Sequence, residues 1–287
     1  MKRIHFWALV AVAFVGIISC SKEYSLENSG NINDPLIVGA DCRISKIAYL
    51  DSATGTGKGS VSASINSADQ TTQVIRFDSL SATIDFLSDL NYFIDTIYID
   101  PDQYFLYDLL TKRVTRLHGL IDPTVPSSLQ FDADYYYDAS GFLIQKAYSL
   151  TSLPGSPYYI VNYTYNGGNM VHMTGVETST GDLVTDADMD YWGTLSPKNY
   201  IYIFPDELSY ANFTQFLNFG KRNVNAIKNL KVRYYDPGNV LRDSTVSNFR
   251  NYMLSKDNYV LSVIMKGDDQ FCIPADSSKL VFSYKCK

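Results

Sequence analysis

Three aspartates at alternate positions, Asp186, Asp188 and Asp190, form the sharpest polar constellation in the chain. Side chains alternate across a β-strand, so this spacing places all three carboxylates on one face. Clustered carboxylate oxygens are hard ligands, and Ca²⁺ is the ion such a face would hold. The segment lacks the glycine and the distant glutamate of a calcium loop, and a solvated strand face tolerates aligned carboxylates, so that bland reading is favoured. Asp132 and Asp134, with Asp138, repeat the pattern more weakly. Paired carboxylates are also the equipment of glycoside hydrolysis, one acting as acid and the other as nucleophile or base. The histidines left after the first few residues, His118 and His172, are far apart in sequence and read as ordinary strand residues. Neither a nucleophile elbow, nor a phosphate loop, nor a dinucleotide fingerprint occurs. The favoured class is therefore a noncatalytic binding module, and the alternative is a surface glycoside hydrolase using paired carboxylates.

Tyrosine is abundant, with 23 residues, several of them clustered at Tyr135-Tyr136-Tyr137, Tyr158-Tyr159 and Tyr191-Trp192. Aromatic rings stack on sugars, and Tyr136, Tyr159 and Trp192 are the candidates for contact with a glycan or a partner protein. Adjacent tyrosines on a strand point to opposite faces, so only part of each cluster shares a surface. The competing reading is plain sheet packing, since aromatic residues suit pleated surfaces.

Strand signals dominate the elements that would position these groups. Val61-Ser62-Ala63-Ser64-Ile65 alternates apolar with polar, and Tyr92 to Ile99 is an aromatic and β-branched run stopped by Asp100-Pro101. A loose repeat follows, in which an aromatic strand, a turn and a second apolar strand recur. Tyr107-Asp108, Tyr137-Asp138, Tyr165-Asn166 and Tyr235-Asp236 each close the first strand of such a unit. Asp and Asn initiate turns through their side chains, and glycine supplies positive φ, so each unit reads as a hairpin. The fold class is mainly β: an antiparallel meander of hairpins forming a curved open sheet, a half-barrel or a sandwich. One main helix is expected near 206–219, capped by Asp206 and ended by Gly220, with Ala211, Phe213, Phe216 and Leu217 at helical spacing. A split into two β domains near 121–128, where Pro123 and Pro126 interrupt the pattern, is the alternative organisation.

The hairpin units resemble the tyrosine-aspartate (YD) repeats of extracellular surface proteins. With Asn218-Phe219-Gly220-Lys221-Arg222-Asn223 leading into Tyr234-Tyr235-Asp236, the chain resembles a group of uncharacterised Bacteroidota lipoproteins built from such hairpins. The resemblance covers roughly residues 100–265 and brings no catalytic residues with it.

The N-terminus fixes a compartment. Met1-Lys2-Arg3 precedes an apolar run that ends at Ile17-Ile18-Ser19-Cys20. That run is short for a membrane span and fits a secretory signal. Aliphatic residues and a small residue before a cysteine resemble the lipobox of bacterial lipoproteins. The resemblance implies a signal peptide over 1–19, a lipid on Cys20, a flexible tether over 20–40 and a β-rich domain over 41–287. It further implies attachment to the outer membrane through that lipid, and Ser21-Lys22-Glu23 resembles the signal for display on the cell surface. Without Lys2 and Arg3 the chain has 22 basic against 30 acidic residues, a net charge of −8, and no basic stripe to meet phosphates, so no nucleic acid is expected. Cys42, Cys272 and Cys286 remain for oxidation in an exported setting, one bond and one free thiol being expected with the pairing open.

Overall fold

The computed structural model describes residues 41–79, 81–121, 128–206, 210–267 and 277–286. Cys20, the tether and Cys272 lie outside them. The described residues form a single antiparallel meander of 17 strands. These are β1 (Cys42–Asp51), β2 (Gly57–Ile65), β3 (Thr71–Asp78), β4 (Thr83–Asp89), β5 (Asn91–Phe93), β6 (Thr96–Asp100), β7 (Gln103–Tyr107), β8 (Val114–Leu120) and β9 (Gln130–Tyr137). The ring continues with β10 (Leu143–Leu150), β11 (Pro157–Asn166), β12 (Asn169–Glu177), β13 (Leu183–Trp192), β14 (Ala226–Asp236), β15 (Val240–Leu254), β16 (Val260–Gly267) and β17 (Ser278–Cys286).

The last strand returns to the first, with Ile47 opposite Phe282 and Cys42 opposite Cys286. A disulfide between Cys42 and Cys286 fastens that seam. β4 and β5 are two halves of one run, broken at Leu90. The first half pairs with β3 and the second with β6. The sheet is thus a nearly closed barrel, more closed than a half-barrel. β8 and β9 pair directly across positions 122–127, with Leu117 opposite Ala133, so both sides of the interrupted region belong to one sheet.

Alternation explains the strands. In β9, Phe131, Ala133 and Tyr135 are buried while Gln130, Asp132 and Asp134 point away from the core. In β13, Thr185, Ala187 and Met189 face the core and the three aspartates face out. One face of each of these two strands is thereby committed to the core.

The lumen is filled by the chain itself. The connection between β13 and β14, residues 193–225, enters and leaves at the end where β1 begins. Tyr200, Ile201, Tyr202, Ile203 and Phe204 are buried, as are Tyr210, Phe213, Phe216, Leu217 and Phe219. Phe213 meets Phe86 of β4 at 5.4 Å and Phe105 of β7 at 5.6 Å. Phe204 meets Tyr163 of β11 at 5.5 Å, and Tyr200 meets Phe282 of β17 at 6.3 Å. The plug therefore touches walls on opposite sides of the ring.

Among the described residues, the helix expected near 206–219 shrinks to one turn, α1 (Ala211–Thr214). The helical spacing misleads because the described residues of the segment are buried nearly all round, polar Thr214 and Gln215 included. Its buried backbone groups find side-chain partners in place of helical ones. Gln215 both donates to the Tyr202 carbonyl at 2.8 Å and accepts from the Tyr202 amide at 2.9 Å. Arg222 donates to the carbonyls of Tyr200 and Gln215 and lies 4.0 Å over the Tyr202 ring. Arg43 donates to the Phe216 carbonyl at 2.6 Å.

The tyrosines acquire a structural role at the same end. Tyr107 donates its hydroxyl to the Ile94 carbonyl, Tyr137 to Val114, Tyr191 to Met170, Tyr252 to Ile227 and Tyr284 to Val260, at 2.6 to 2.8 Å. Each bond ties the end of one strand to a neighbouring turn or strand start. The aspartates that follow hold the turns: Asp108 accepts from the amides of Leu110 and Thr111, and Asp138 from that of Phe142.

Candidate functional site

The outward carboxylates are organised into two ladders, each spanning three neighbouring strands. On β12, β13 and β14, His172 stands opposite Asp188 and Asp186 stands opposite Arg233. His172 Nδ1 is 2.9 Å from Asp188, and Arg233 reaches both Asp186 and Asp188 with separate guanidinium nitrogens. The Tyr235 hydroxyl donates to Asp186 at 3.4 Å. Partial burial pushes the Asp188 carboxyl up, but hydrogen bonds from Arg233 and His172 outweigh it and hold the group below the usual range. Asp190 shares the face and accepts from Asn229 at 3.3 Å.

Ligand atoms of His172, Asp186 and Asp188 lie within 4.8 Å of one another, close enough to share a metal ion. A guanidinium already supplies the positive charge at that point. A divalent cation would have to displace Arg233, whose two-pronged contact matches the pair of carboxylates. Asp190 stands apart from the cluster of three.

The second ladder lies on β7, β8 and β9. Arg116 Nε donates to Asp134 at 2.6 Å, and His118 Nδ1 is 2.8 Å from Asp132. Tyr104 stacks on the His118 ring at 4.8 Å, and Tyr98 tilts against Tyr104 at 5.7 Å. The hydrogen bond with Asp134 is the main reason that the Arg116 guanidinium holds its proton more firmly than usual. In both ladders cation and carboxylate are direct cross-strand partners, the arrangement by which charges stabilise a sheet.

A third constellation lies inside the barrel. Lys146 of β10 and Asp206 of the plug form an ion pair at 3.0 Å, with side chains 1% and 0% exposed. Tyr163 donates to Asp206 at 2.7 Å and Tyr148 at 3.4 Å. The ammonium also lies 4.9 Å over Phe204 and 5.5 Å over Tyr135. Sequence reading missed this pair, because Asp206 reads as a helix cap and no motif or spacing singles out Lys146.

The tyrosine and tryptophan candidates do not converge. Tyr136 is exposed on the outer side of β9. Tyr159 packs inward against Tyr148 at 5.5 Å, and burial pushes its hydroxyl well above the usual range. Trp192 ends β13, donating to the Phe249 carbonyl at 3.1 Å beneath Lys228.

No family model matches the chain, and no curated protein matches it. Among solved structures it is similar to a porin-like protein from Bacteroides uniformis. That likeness has 12% identity and a TM-score of 0.56, covering 85% of this chain and 96% of the other. A porin-like protein from Bacteroides vulgatus shares 12% identity, with a TM-score of 0.49 over 85% of this chain and 99% of the other. At that identity the first likeness is one of fold.

Proposed function

We propose that the chain is a noncatalytic lipoprotein of the outer membrane, displayed at the cell surface on lipid at Cys20, whose filled barrel is a rigid scaffold for binding a glycan or a partner protein. The observation that carries this reading is the inversion of the barrel. A membrane-spanning barrel turns an apolar band outward and keeps polar groups within. Here the lumen holds the aromatic plug, and the mid-strand outer positions hold Arg116, His118, Asp132, Asp134, His172, Asp186, Asp188, Lys231 and Arg233. Charges on a lipid-facing surface cost about 2–4 kcal/mol each at mid-bilayer, so this outer face belongs in water. Exposed apolar side chains on the wall include Phe77, Ile84 and Leu87 on β3 and β4, with others such as Tyr136, Ile144, Val184 and Val246 spread over β9, β10, β13 and β15. Such a barrel needs a separate anchor, and the lipobox cysteine with its tether is one.

The binding reading draws on what the carboxylates do. Of those named as candidates for hydrolysis or calcium, Asp132, Asp134, Asp186 and Asp188 are engaged by Arg116, Arg233, His118 and His172, while Asp190 accepts from Asn229 and Asp138 holds a turn. The test is metabolic lipid labelling with fractionation. The wild-type chain is expected to take up label and remain with membranes, and the Cys20→Ala variant to lose both. Retention of the variant in carbonate-washed membranes would reverse the anchoring. A glycan array of the released protein, with Tyr136→Ala as comparison, then tests the binding half.

A further inference from the structure

We infer that the barrel stands with its β1 end on the bilayer and dips the tips of two adjacent turns into the interfacial layer; this rests on the anchoring at Cys20 proposed above. The described chain begins at Asp41, where Asn199 donates to Asp41 and to the Cys42 carbonyl, so the tether joins the barrel at this end. The turn between β5 and β6 and the turn between β7 and β8 lie at the same end. They carry Phe93 (65% exposed), Ile94 (67%), Leu109 (48%) and Leu110 (92%). Two large aliphatic or aromatic side chains on each of two neighbouring turn tips are an unusual expenditure of apolar surface in water.

The tips form a single rigid unit. The Tyr107 amide donates to the Asp95 carbonyl at 2.8 Å and its hydroxyl donates to the Ile94 carbonyl at 2.7 Å. Lys112 folds 5.4 Å over the Tyr107 ring, Arg113 lies 4.8 Å over Tyr137, and Lys221 lies 5.6 Å over Phe142. Three cations thus flank the apolar tips. The acids of these turns, Asp95, Asp108 and Asp138, accept hydrogen bonds inside their own turns from Thr96, Thr111 and the Phe142 amide. Apolar side chains bounded by Lys and Arg match the bilayer interface, where hydrocarbon meets anionic headgroups. At the far end of the barrel, Ile121 (47% exposed), Leu129 (64%), Leu153 (60%), Val240 (60%) and Leu241 (55%) are exposed too; the tether joins the other end, so these would face away from the membrane, toward whatever the protein binds.

The test uses the full mature chain on vesicles of phosphatidylethanolamine and phosphatidylglycerol. Leu110→Trp and Leu153→Trp report on the two ends, each against the wild type to subtract Trp192. The lipidated Leu110→Trp chain is expected to show blue-shifted emission quenched by lipids brominated in their acyl chains, and Leu153→Trp to show neither change. A vesicle-bound Leu110→Trp chain with unshifted, unquenched emission overturns the inference, as does equal quenching at both ends. The anchoring is read separately with Cys20→Ser. If that chain still sediments with vesicles, and Ile94→Asp with Leu110→Asp weakens sedimentation roughly tenfold or more, the tips hold even though the lipid is dispensable.

Discussion

The pair Lys146 and Asp206 and the ladder His172, Asp186, Asp188 and Arg233 use the same chemical types in opposite surroundings. Inside, both charges have left water and are fixed among aromatic rings. Outside, the Asp188 side chain is 50% exposed and that of His172 39% exposed. Desolvation makes the first costly to break, whereas solvent screens the second. The eye-catching carboxylate triplet is therefore the less consequential feature, and one lysine in an alternating strand is the more consequential one.

Substitutions rank that difference. Lys146→Met leaves Asp206 buried without its cation, and we expect a loss of about 3–5 kcal/mol in urea unfolding. A loss near zero would mean that the interior tolerates charge as the exterior does. Opening the seam comes next: Cys286→Ser or reduction is expected to cost about 2–5 kcal/mol, because the bond links positions 244 residues apart in sequence. Tyr284→Phe removes a single buried tie to the Val260 carbonyl and should cost about 0.5–1.5 kcal/mol. Arg233→Ala, on the outer wall, should cost at most about 1 kcal/mol, diminishing in high salt. A larger, salt-insensitive loss would show that the ladder is structurally coupled to the core.

Alkaline titration sharpens the interior side of the comparison. Burial pushes the Tyr92 hydroxyl up to about 12 from an ordinary value of 10. The folded state therefore favours the neutral phenol. Its contribution to stability is complete below about pH 10 and is lost as pH rises toward about 12. Phenolate absorbance and unfolding midpoints across that window should move together, and Tyr92→Phe should flatten part of the midpoint change.

Much of the strand pattern was readable from local chemistry. The Tyr-Asp and Tyr-Asn junctions marked hairpins because Asp108 and Asp138 hold turns through contacts within a few residues of themselves. The face shared by Asp186, Asp188 and Asp190 was likewise set by a period of two. Arg116 and Arg233 were missed because they join their aspartates across strands, and a sequence does not state register. The plug was misread for a related reason. Phe213, Phe216 and Leu217 look like one apolar helix face when their neighbours are assumed to face water, yet Thr214 and Gln215 between them are buried as well.

The residues alone thus determined an antiparallel meander with tyrosine-rich hairpins and alternating wet and dry faces, since these follow from pleat geometry and short-range turn bonds. Tertiary structure decided which wet and dry faces mattered: that the sheet nearly closes on itself, that Cys42 meets Cys286, and that residues 200–204 and 210–219 fold back into the lumen. It also decided that Lys146 and Asp206, 60 positions apart, share one dehydrated site. Those outcomes depend on which distant segments exclude water together, and hydrophobic burial is non-directional, so no local spacing encodes them.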